Sequence, residues 1–163
     1  MSTRVGVGFS ENPDSFTAGR EAVCHALHQG DLESAQLLLV FATSKHDATA
    51  FLAGLRAAAG PQTRIIGGSA IGILTNDQLG YDGYQVGVAA FETDAMQLDL
   101  FRESGLPDCE AAVGEALGRR IAARDFAGEP NILLMYDSMN HSGAQPKMNM
   151  ATPLLQGLQK AFE

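Results

Sequence analysis

The sequence is poor in cysteine: only Cys24 and Cys109 occur among its 163 residues. Both fall in segments with helical periodicity, and no feature of the sequence pairs them. We therefore expect two free thiols, which suit a reducing compartment. A chain of this length buries about 70% of the surface that its unfolded form exposes, so it needs neither a disulfide nor a structural metal to fold.

Positive charge and long apolar runs are also scarce. The chain carries 11 Lys and Arg residues against 19 Asp and Glu residues, a formal net charge of -8. This balance argues against nucleic acid and against an anionic membrane surface, because both attract a surplus of basic side chains. No apolar run approaches the ~20 residues of a membrane-spanning helix, and the first residues do not form a signal peptide. We expect a cytoplasmic protein.

The sequence does contain short apolar runs that alternate with helical patterns, which is typical of an α/β fold. N-caps for three helices are supplied by the turn at 12–15, by Asp47 and by Asp108. A fourth helix begins at Thr152-Pro153. We predict a mixed sheet, or two sheets, flanked by these helices. The predicted strands are residues 5–9, 37–42, 64–66, 84–91 and 132–136.

A central antiparallel hairpin is predicted from two neighbouring runs. Residues 84–91 are mostly apolar, and residues 96–100 alternate between apolar and polar side chains after a short turn. Such alternation is typical of a half-exposed strand. We therefore expect 84–91 and 96–100 to pair with each other.

The two halves of the chain also match each other. Residues 37–46 align on 132–141 without a gap, so that His46 meets His141, and the same register sets Gly19 on Gly114. After extra residues in the second half, residues 51–55 align on 154–158. These matches favour a duplicated β-α-β-α unit. Repeat one would span about 4–69, and repeat two about 84–163.

The second repeat ends at Glu163, where the counterpart of strand 64–66 would begin. We therefore expect one domain over 1–163 whose second repeat lacks its last strand, in a fragment or in a chain that continues in nature. An unpaired sheet edge invites association with another chain. Homo-oligomerisation through that edge is a further expectation.

Polar residues follow three of the predicted strands. In open α/β sheets, ligands bind beyond the carboxyl ends of the strands. Hydroxyls, a carboxamide and imidazoles suit a small polar ligand such as an amino acid, and the glycines would present backbone N–H groups to an anion. The alternative is that these residues only cap helices and turn the chain. The candidate ligand-binding residues are Thr43, Ser44 and His46, the turn Gly67, Gly68 and Ser69, and the third set Asp137, Ser138, Asn140 and His141.

Three known site motifs are incomplete. The turn at 67–69 lacks the Lys-Ser or Lys-Thr pair of a P-loop. Ser69 is not the central residue of a G-x-S-x-G sequence, as a nucleophile elbow requires. His25 and His28 lie three residues apart on one helical face, but no third metal ligand is evident. We therefore expect no metal, no cofactor and no catalytic residue.

Four segments, taken in order, resemble the N-terminal FIST domain, which is named after F-box and intracellular signal transduction proteins. They are residues 4–10, 37–46, 65–72 and 84–91. The resemblance implies a sensory domain of a bacterial intracellular signalling protein that binds small ligands such as amino acids. It also implies that a FIST C-terminal domain follows in the full-length protein. It carries over no catalytic residues.

The leading hypothesis is therefore a small-ligand-binding sensory domain, and two alternatives stay open. One is a hydrolase or transferase that uses the same loops, for which an imidazole beside a serine hydroxyl would be the structural sign. The other is a protein-interaction module, for which a flat apolar patch would be the sign.

Overall fold

A computed structural model describes residues 2–106, 109–140 and 145–162 of the chain. The chain divides into two compact units, residues 1–98 and residues 99–163. Within the described part, no helix has both the length and the apolar character that crossing a membrane requires.

The first unit contains a four-stranded mixed sheet. Its strands are β1 (Thr3–Ser10), β2 (Leu37–Ala42), β3 (Arg64–Ser69) and β6 (Val86–Thr93). Their order across the sheet is β1-β6-β2-β3. Strand β6 runs antiparallel to both of its neighbours, whereas β2 and β3 are parallel. A separate two-stranded hairpin follows β3 in the sequence and consists of β4 (Gly72–Leu74) and β5 (Leu79–Tyr81).

Two helices, α1 (Ser15–Gln29) and α2 (Ala48–Ala59), pack on one face of this sheet. Each begins after an aspartate whose side chain accepts a backbone N–H of the first turn, as predicted for Asp47. Hydrogen bonds from Thr17, first from its side chain and then from its backbone, hold the pKa of Asp14 below its usual value. The sequence thus encodes both helix starts locally.

Glycine brings α1 and α2 into backbone contact. A Cβ atom on Gly54 would lie 2.0 Å from the carbonyl oxygen of Phe16, and one on Gly19 would lie 2.6 Å from that of Phe51. No larger residue fits either position without moving a helix. The core beneath the crossing consists of small and branched side chains: Ala18, Ala22, Val23, Ala26, Leu38, Val40, Leu55, Val86, Val88 and Ala90.

The predicted pairing of 84–91 with 96–100 is wrong. Strand β6 is bonded to β1 along one edge and to β2 along the other, so it has no edge left for a further strand. Residues 96–100 form no strand. The hairpin of this unit is β4–β5 instead. Its buried Ile73 contacts Gly87 on the sheet face opposite the helices.

The second unit contains another helix pair, α3 (Glu110–Ala122) and α4 (Ala151–Gln159). A two-residue ladder joins β7 (Met139–Asn140) to β8 (Lys147–Met148). The core of this unit is a cluster formed by Leu117, Ile121 and Leu158, with Phe101, Phe126 and Leu134 packed against it.

The strand predicted at 132–136 does not form in the second unit. Ile132 is 44% exposed and Leu133 is 64% exposed, so the run is not buried either. A strand needs a neighbour that takes its backbone hydrogen bonds. Among the described residues of this unit, the two-residue ladder between β7 and β8 is the longest.

The starts of α3 and α4 also differ from the prediction. The expected cap Asp108 lies outside the described residues, and Thr152 lies inside α4 rather than before it. Cys109 and Met150 occupy the N-cap positions without a side-chain capping bond. The carboxylate of Glu110 accepts the N–H of Met150 at 3.0 Å. This bond, followed by one from its own backbone N–H, lowers the pKa of Glu110.

The two helix pairs correspond in the register that aligns Gly19 on Gly114. A Cβ atom on Gly114 would lie 2.0 Å from the carbonyl oxygen of Leu154, just as Gly19 meets Phe51. The strands of the first unit have no counterpart in the described part of the second, so duplication of a whole β-α-β-α unit stays a prediction. The predicted class, a mixed α/β fold with helices flanking a sheet, is confirmed.

Candidate functional site

The structure brings two of the three predicted residue sets to the same end of the sheet. The ladder between β2 and β3 pairs Ala42 with Ser69. Thr43 and Ser44 therefore follow β2 at the level where β3 ends. Parallel pairing produces this placement, because the carboxyl ends of parallel strands share one sheet edge.

Thr43 is part of the framework at this end. Its side chain is buried, and its Oγ1 donates to the carbonyl of Gly83 at 2.7 Å. Its backbone N–H donates to the carbonyl of Gln85 at 3.0 Å. These bonds tie the loop after β2 to the segment that enters β6. Ser44, by contrast, is exposed.

His46 links three segments of the first unit. Its Nε2 lies 3.0 Å from the carbonyl oxygen of Tyr84, and a carbonyl only accepts, so Nε2 carries the proton. In the tautomer with its single proton on Nε2, Nδ1 accepts from the hydroxyl of Ser15 at 3.3 Å. The ring stacks on Phe51 with centroids 5.5 Å apart. The imidazole thus has a structural role in holding the loop.

The contact between Ser15 and His46 places an imidazole beside a serine hydroxyl, which is the arrangement expected of the hydrolase or transferase alternative. However, the Ser15 Oγ accepts the backbone N–H of Asp47 at 3.0 Å, so it is held as a link between the starts of α1 and α2. The imidazole has aromatic rings on two sides, Phe51 stacked and Tyr84 edge-on. These contacts hold the imidazole in place between the two rings.

The predicted turn at 67–69 is a continuation of strand β3. Gly67 pairs with Val40, and Gly68 with Phe41, in the parallel ladder. Backbone N–H groups alternate along a strand, so consecutive N–H groups in this segment point to opposite edges. The expected turn at 67–69 is therefore wrong in its local structure, since these residues belong to a strand, while their role in binding a ligand stays a prediction.

The third predicted set lies in the second unit. Asp137 accepts the N–H of Met139 through its carboxylate at 3.1 Å. Its carbonyl accepts from the side-chain amide of Asn149 at 2.7 Å, and the carbonyl of Ser138 accepts the backbone N–H of Asn149 at 3.0 Å. Asn140 lies in β7. His141 lies outside the described residues.

A groove in the first unit is lined by different residues. It is open, has a volume of about 520 Å³, and runs along the outer edge of β1. Residues 7–11 form its floor, the turn at 75–78 forms one wall, and α1 forms the other. The lining residues from α1 are Glu21, His25, His28 and Gln29.

Side chains of α1 bond to the outer edge of β1 inside this groove. The Gln29 side chain accepts the N–H of Val7 at 2.9 Å, and the Nδ1 of His25 lies 2.8 Å from the carbonyl oxygen of Phe9. That nitrogen is the donor, because the carbonyl only accepts. The two side chains cover positions that another strand would otherwise pair with.

The end of the groove near the carboxyl terminus of β1 is acidic and pre-organised. The Glu21 carboxylate accepts from the hydroxyl of Ser10 at 2.8 Å and from the amide of Asn12 at 3.2 Å. Glu11 and Asp77 add two more carboxylates to the lining. The groove therefore favours a cationic group over an anion.

Sequence reasoning missed this groove for a topological reason. The pairing of His25 with His28 on one face of α1 was visible in the sequence, as was the polar stretch at 75–78. Their meeting depends on β6 inserting between β1 and β2, which leaves β1 at the edge of the sheet. No local sequence pattern predicts that β6 inserts between β1 and β2. In the described part of the chain, no three His, Cys, Asp or Glu side chains are grouped so as to hold a metal ion.

Comparison with protein families identifies the chain. The family model for the FIST N domain matches residues 36–163. The chain belongs to the FIST N domain family. FIST N domains are sensory domains of signal transduction proteins and are not a known catalytic family. The resemblance read from the sequence is therefore confirmed at the level of the family.

Comparisons with individual proteins add less. No curated protein matches the chain. Among solved structures, a tryptophan-to-tyrosine variant of FtsZ from M. jannaschii is 22% identical, with a TM-score of 0.36 over 56% of this chain and 27% of that chain. An empty FtsZ dimer from M. jannaschii is 17% identical, with a TM-score of 0.32 over 63% of this chain and 34% of that chain. The FIST N chain thus spans about a third of those chains or less, and likeness at this level says nothing about what it binds.

Proposed function

We propose that this FIST N domain is a sensory domain whose ligand is a small molecule bound in the groove between β1, α1 and the turn at 75–78. The observation that supports the proposal best is the groove itself. Its volume of about 520 Å³ falls in the range of ~300–1,000 Å³ that small-molecule sites occupy. Its lining combines an apolar strand edge with carboxylates, imidazoles and amides, so it is more polar than most such sites and suits a small polar ligand.

The ligand class that the lining favours is one with an ammonium group, such as an amino acid. Glu11, Glu21 and Asp77 supply negative charge at a site without a Lys or Arg in its lining. An amino group would bond to these carboxylates with charge-assisted hydrogen bonds. His28 and the amide of Gln78 would donate to the carboxylate of an amino acid. An acidic ligand without an amine is disfavoured by the same charges.

The turn at 75–78 is the element that a ligand would move. It is closed by a bond from the Thr75 N–H to the carbonyl of Gln78 at 2.8 Å. The flanking Leu74 and Leu79 are 77% and 75% exposed. A hairpin tip with so few buried apolar contacts moves at low cost in free energy. Closure of this tip over a ligand would give the differential affinity between two states that a sensor requires.

The loop residues predicted from the sequence are a second proposed position for the ligand. Ser44 and Ser69 are exposed at the carboxyl ends of β2 and β3, whereas Thr43 and His46 are engaged in bonds that hold the loop. The groove is the preferred position because carboxylates, imidazoles and amides line one volume of about 520 Å³ there, whereas the loop cluster offers two exposed hydroxyls. A cytoplasmic location, a bacterial origin and work alongside a FIST C domain are further parts of the proposal that rest on the family resemblance.

The test is a thermal-shift screen of the purified chain against amino acids, small carboxylates, amines and nucleotides. A ligand at 100 times its dissociation constant stabilises the folded state by about 2.7 kcal/mol. For a domain of this size, the melting temperature would rise by roughly 5–10 °C. We expect shifts from compounds with a free amine and none from the same compounds after N-acetylation. Shifts confined to nucleotides or to carboxylates without an amine would contradict the proposed ligand class.

A further inference from the structure

Gln85 is a buried polar side chain that contacts a residue of the groove. It directly precedes β6 and is 5% exposed. Its amide is paired on both sides: Oε1 accepts the N–H of Gly83 at 2.7 Å, and Nε2 donates to the carboxylate of Glu11 at 3.4 Å. The orientation of the amide follows from these partners, because a backbone N–H only donates and an ionised carboxylate only accepts.

Two glycines leave the space that the Gln85 side chain fills. A Cβ atom on Gly80, in β5, would lie 2.1 Å from the Cγ of Gln85, and one on Gly83 would lie 2.2 Å from its Nε2. The side chain therefore lies directly against the backbone of the β4–β5 hairpin and against the turn that leads from β5 to β6. Because such close contacts leave no free space, β5 and the Gln85 side chain move together.

These contacts join two sides of the groove. Glu11 belongs to its floor, and the tip at 75–78 forms a wall and continues directly into β5. Gln85 thus bonds to the floor through Glu11, and it packs through Gly80 against the strand that carries the wall. Gln85 is not itself part of the groove lining, so its effect on a ligand would be indirect.

The turn between β5 and β6 is anchored to the sheet from its other side. The Oγ1 of Thr43 donates to the carbonyl of Gly83 at 2.7 Å, and the N–H of Thr43 donates to the carbonyl of Gln85 at 3.0 Å. Gly83 is therefore held through both of its backbone groups, by Gln85 and by Thr43. With the turn held in this way, we expect a change at Gln85 to reach β5 and not to be absorbed by the turn.

Glu11 is the member of this network that a ligand would fix. Its side chain is exposed, and its bond from Gln85, at 3.4 Å, is longer than the other three bonds above. An ionised carboxylate offers about four lone-pair sites, so Glu11 can accept an ammonium group and the Gln85 amide at the same time. A ligand that holds the carboxylate still strengthens the bond to Gln85, because the carboxylate is then already ordered.

We propose that Gln85 is a positioning residue that couples the Glu11 carboxylate in the groove to the β4–β5 hairpin. An ammonium group bound at Glu11 orders the bond between Glu11 and Gln85, Gln85 then holds Gly80, and the tip at 75–78 is held beside the ligand. This role rests on the proposed function, because it takes Glu11 as a contact of the ligand. Binding on one side of the groove thereby stabilises the other side.

The test measures hydrogen–deuterium exchange of the whole chain at the amides of residues 72–81, first without ligand. Glu11→Ala removes the acceptor at an exposed position, and it should speed exchange at 72–81 by roughly fivefold, which is the effect of one hydrogen bond of ordinary strength. Gln85→Met keeps an unbranched side chain but neither bond, and it should speed exchange by at least as much. Glu11→Ala should have no further effect in the Gln85→Met chain, because the two residues act as one unit. Glu33→Ala, which removes another exposed carboxylate of the first unit, is the matched control and should leave exchange at 72–81 unchanged.

A second arm of the experiment adds the proposed ligand class. The probe is a mixture of the standard amino acids, and the same mixture after N-acetylation is its control. We expect the amino acids to slow exchange at 72–81 in the unchanged chain and to have much less effect in the Gln85→Met chain. If the mixture has no effect while the ligand-free results are as expected, the proposed function is contradicted and the coupling of Glu11 to the hairpin is supported.

Two results would overturn the role of Gln85. The first is exchange at 72–81 in the Gln85→Met chain that equals that of the unchanged chain, since the side chain would then only fill space. The second is additivity of the effects of Glu11→Ala and Gln85→Met. If Gln85→Met fails to fold, which loss of protection in α1 would reveal, Glu11→Ala decides alone. Unchanged exchange at 72–81 in the Glu11→Ala chain would then exclude the coupling.

Discussion

Replacement of Gly54 by alanine tests the close packing of α1 and α2. Helix propensity and this packing predict opposite signs for the change in the free energy of unfolding. In an isolated helix, alanine is more favourable than glycine by about 1 kcal/mol, so propensity alone predicts a more stable protein. The structure predicts the opposite. The added Cβ atom would lie 2.0 Å from the carbonyl oxygen of Phe16, whereas ordinary contacts begin at 3.4 Å.

The magnitude follows from how far the helices must separate. To reach ordinary contact, the atoms at the crossing must part by more than 1 Å. A gap of that size already forfeits a quarter to a half of the dispersion energy of each contact that opens. Overpacking of this kind costs about 1–3 kcal/mol, and the contact with rigid backbone places Gly54→Ala near the upper end. After the gain in propensity, we expect a net loss of about 2 kcal/mol.

The assay is urea unfolding followed by far-ultraviolet circular dichroism. Gly68→Ala is the matched control, because a Cβ atom at Gly68 would meet no atom within 4 Å. We expect its free energy of unfolding to stay within about 0.5 kcal/mol of the unchanged chain. A Gly54→Ala protein as stable as the unchanged chain, or more stable, would refute the close crossing of α1 and α2.

Two further predictions concern single hydrogen bonds. Thr43→Val should lower the free energy of unfolding by about 1–2 kcal/mol, because it leaves the half-buried carbonyl of Gly83 without its side-chain donor. Thr43→Ser keeps the hydroxyl and should recover most of the loss in the same urea titration. The second bond is the one that Glu110 accepts from Met150, and it lowers the pKa of Glu110 in the folded state. The contribution of Glu110 to the free energy of unfolding is therefore present above its usual pKa of 4.5 and fades as the pH falls through the folded value. The difference in unfolding free energy between the unchanged chain and Glu110→Gln should therefore shrink between about pH 6 and pH 3, and a difference that grows on acidification would contradict the bond.

The parts of the fold that the sequence predicts correctly are those with local causes. Asp47 caps α2 because its short side chain reaches the first turn. The strand pairing has no such local cause. The partner of β6 is decided by which strand edges remain free after folding, and the apolar run at 84–91 looks the same whether it joins a hairpin or enters a sheet.

The candidate site likewise has features with local causes, which the sequence predicts, and features that depend on the fold, which it does not. Polar residues after strands are visible in the sequence, and the structure does bring Thr43 and Ser69 to one sheet end. Their hydrogen bonds are not visible, so the sequence does not separate Thr43, which is fixed in the framework, from Ser44, which is exposed. The groove was missed because its walls come from β1, α1 and a hairpin tip that are distant in the chain.

The central claim is that the sensory ligand binds in the groove along β1. The most direct test is calorimetric titration of the compound that gives the largest thermal shift. The groove variant carries His28→Ala and Asp77→Asn, and the loop variant carries Ser44→Ala and Ser69→Ala. The account predicts that the groove variant binds at least tenfold more weakly and that the loop variant binds as the unchanged chain does. Full affinity in the groove variant, with loss of binding in the loop variant, would contradict the account and place the ligand at the carboxyl ends of β2 and β3.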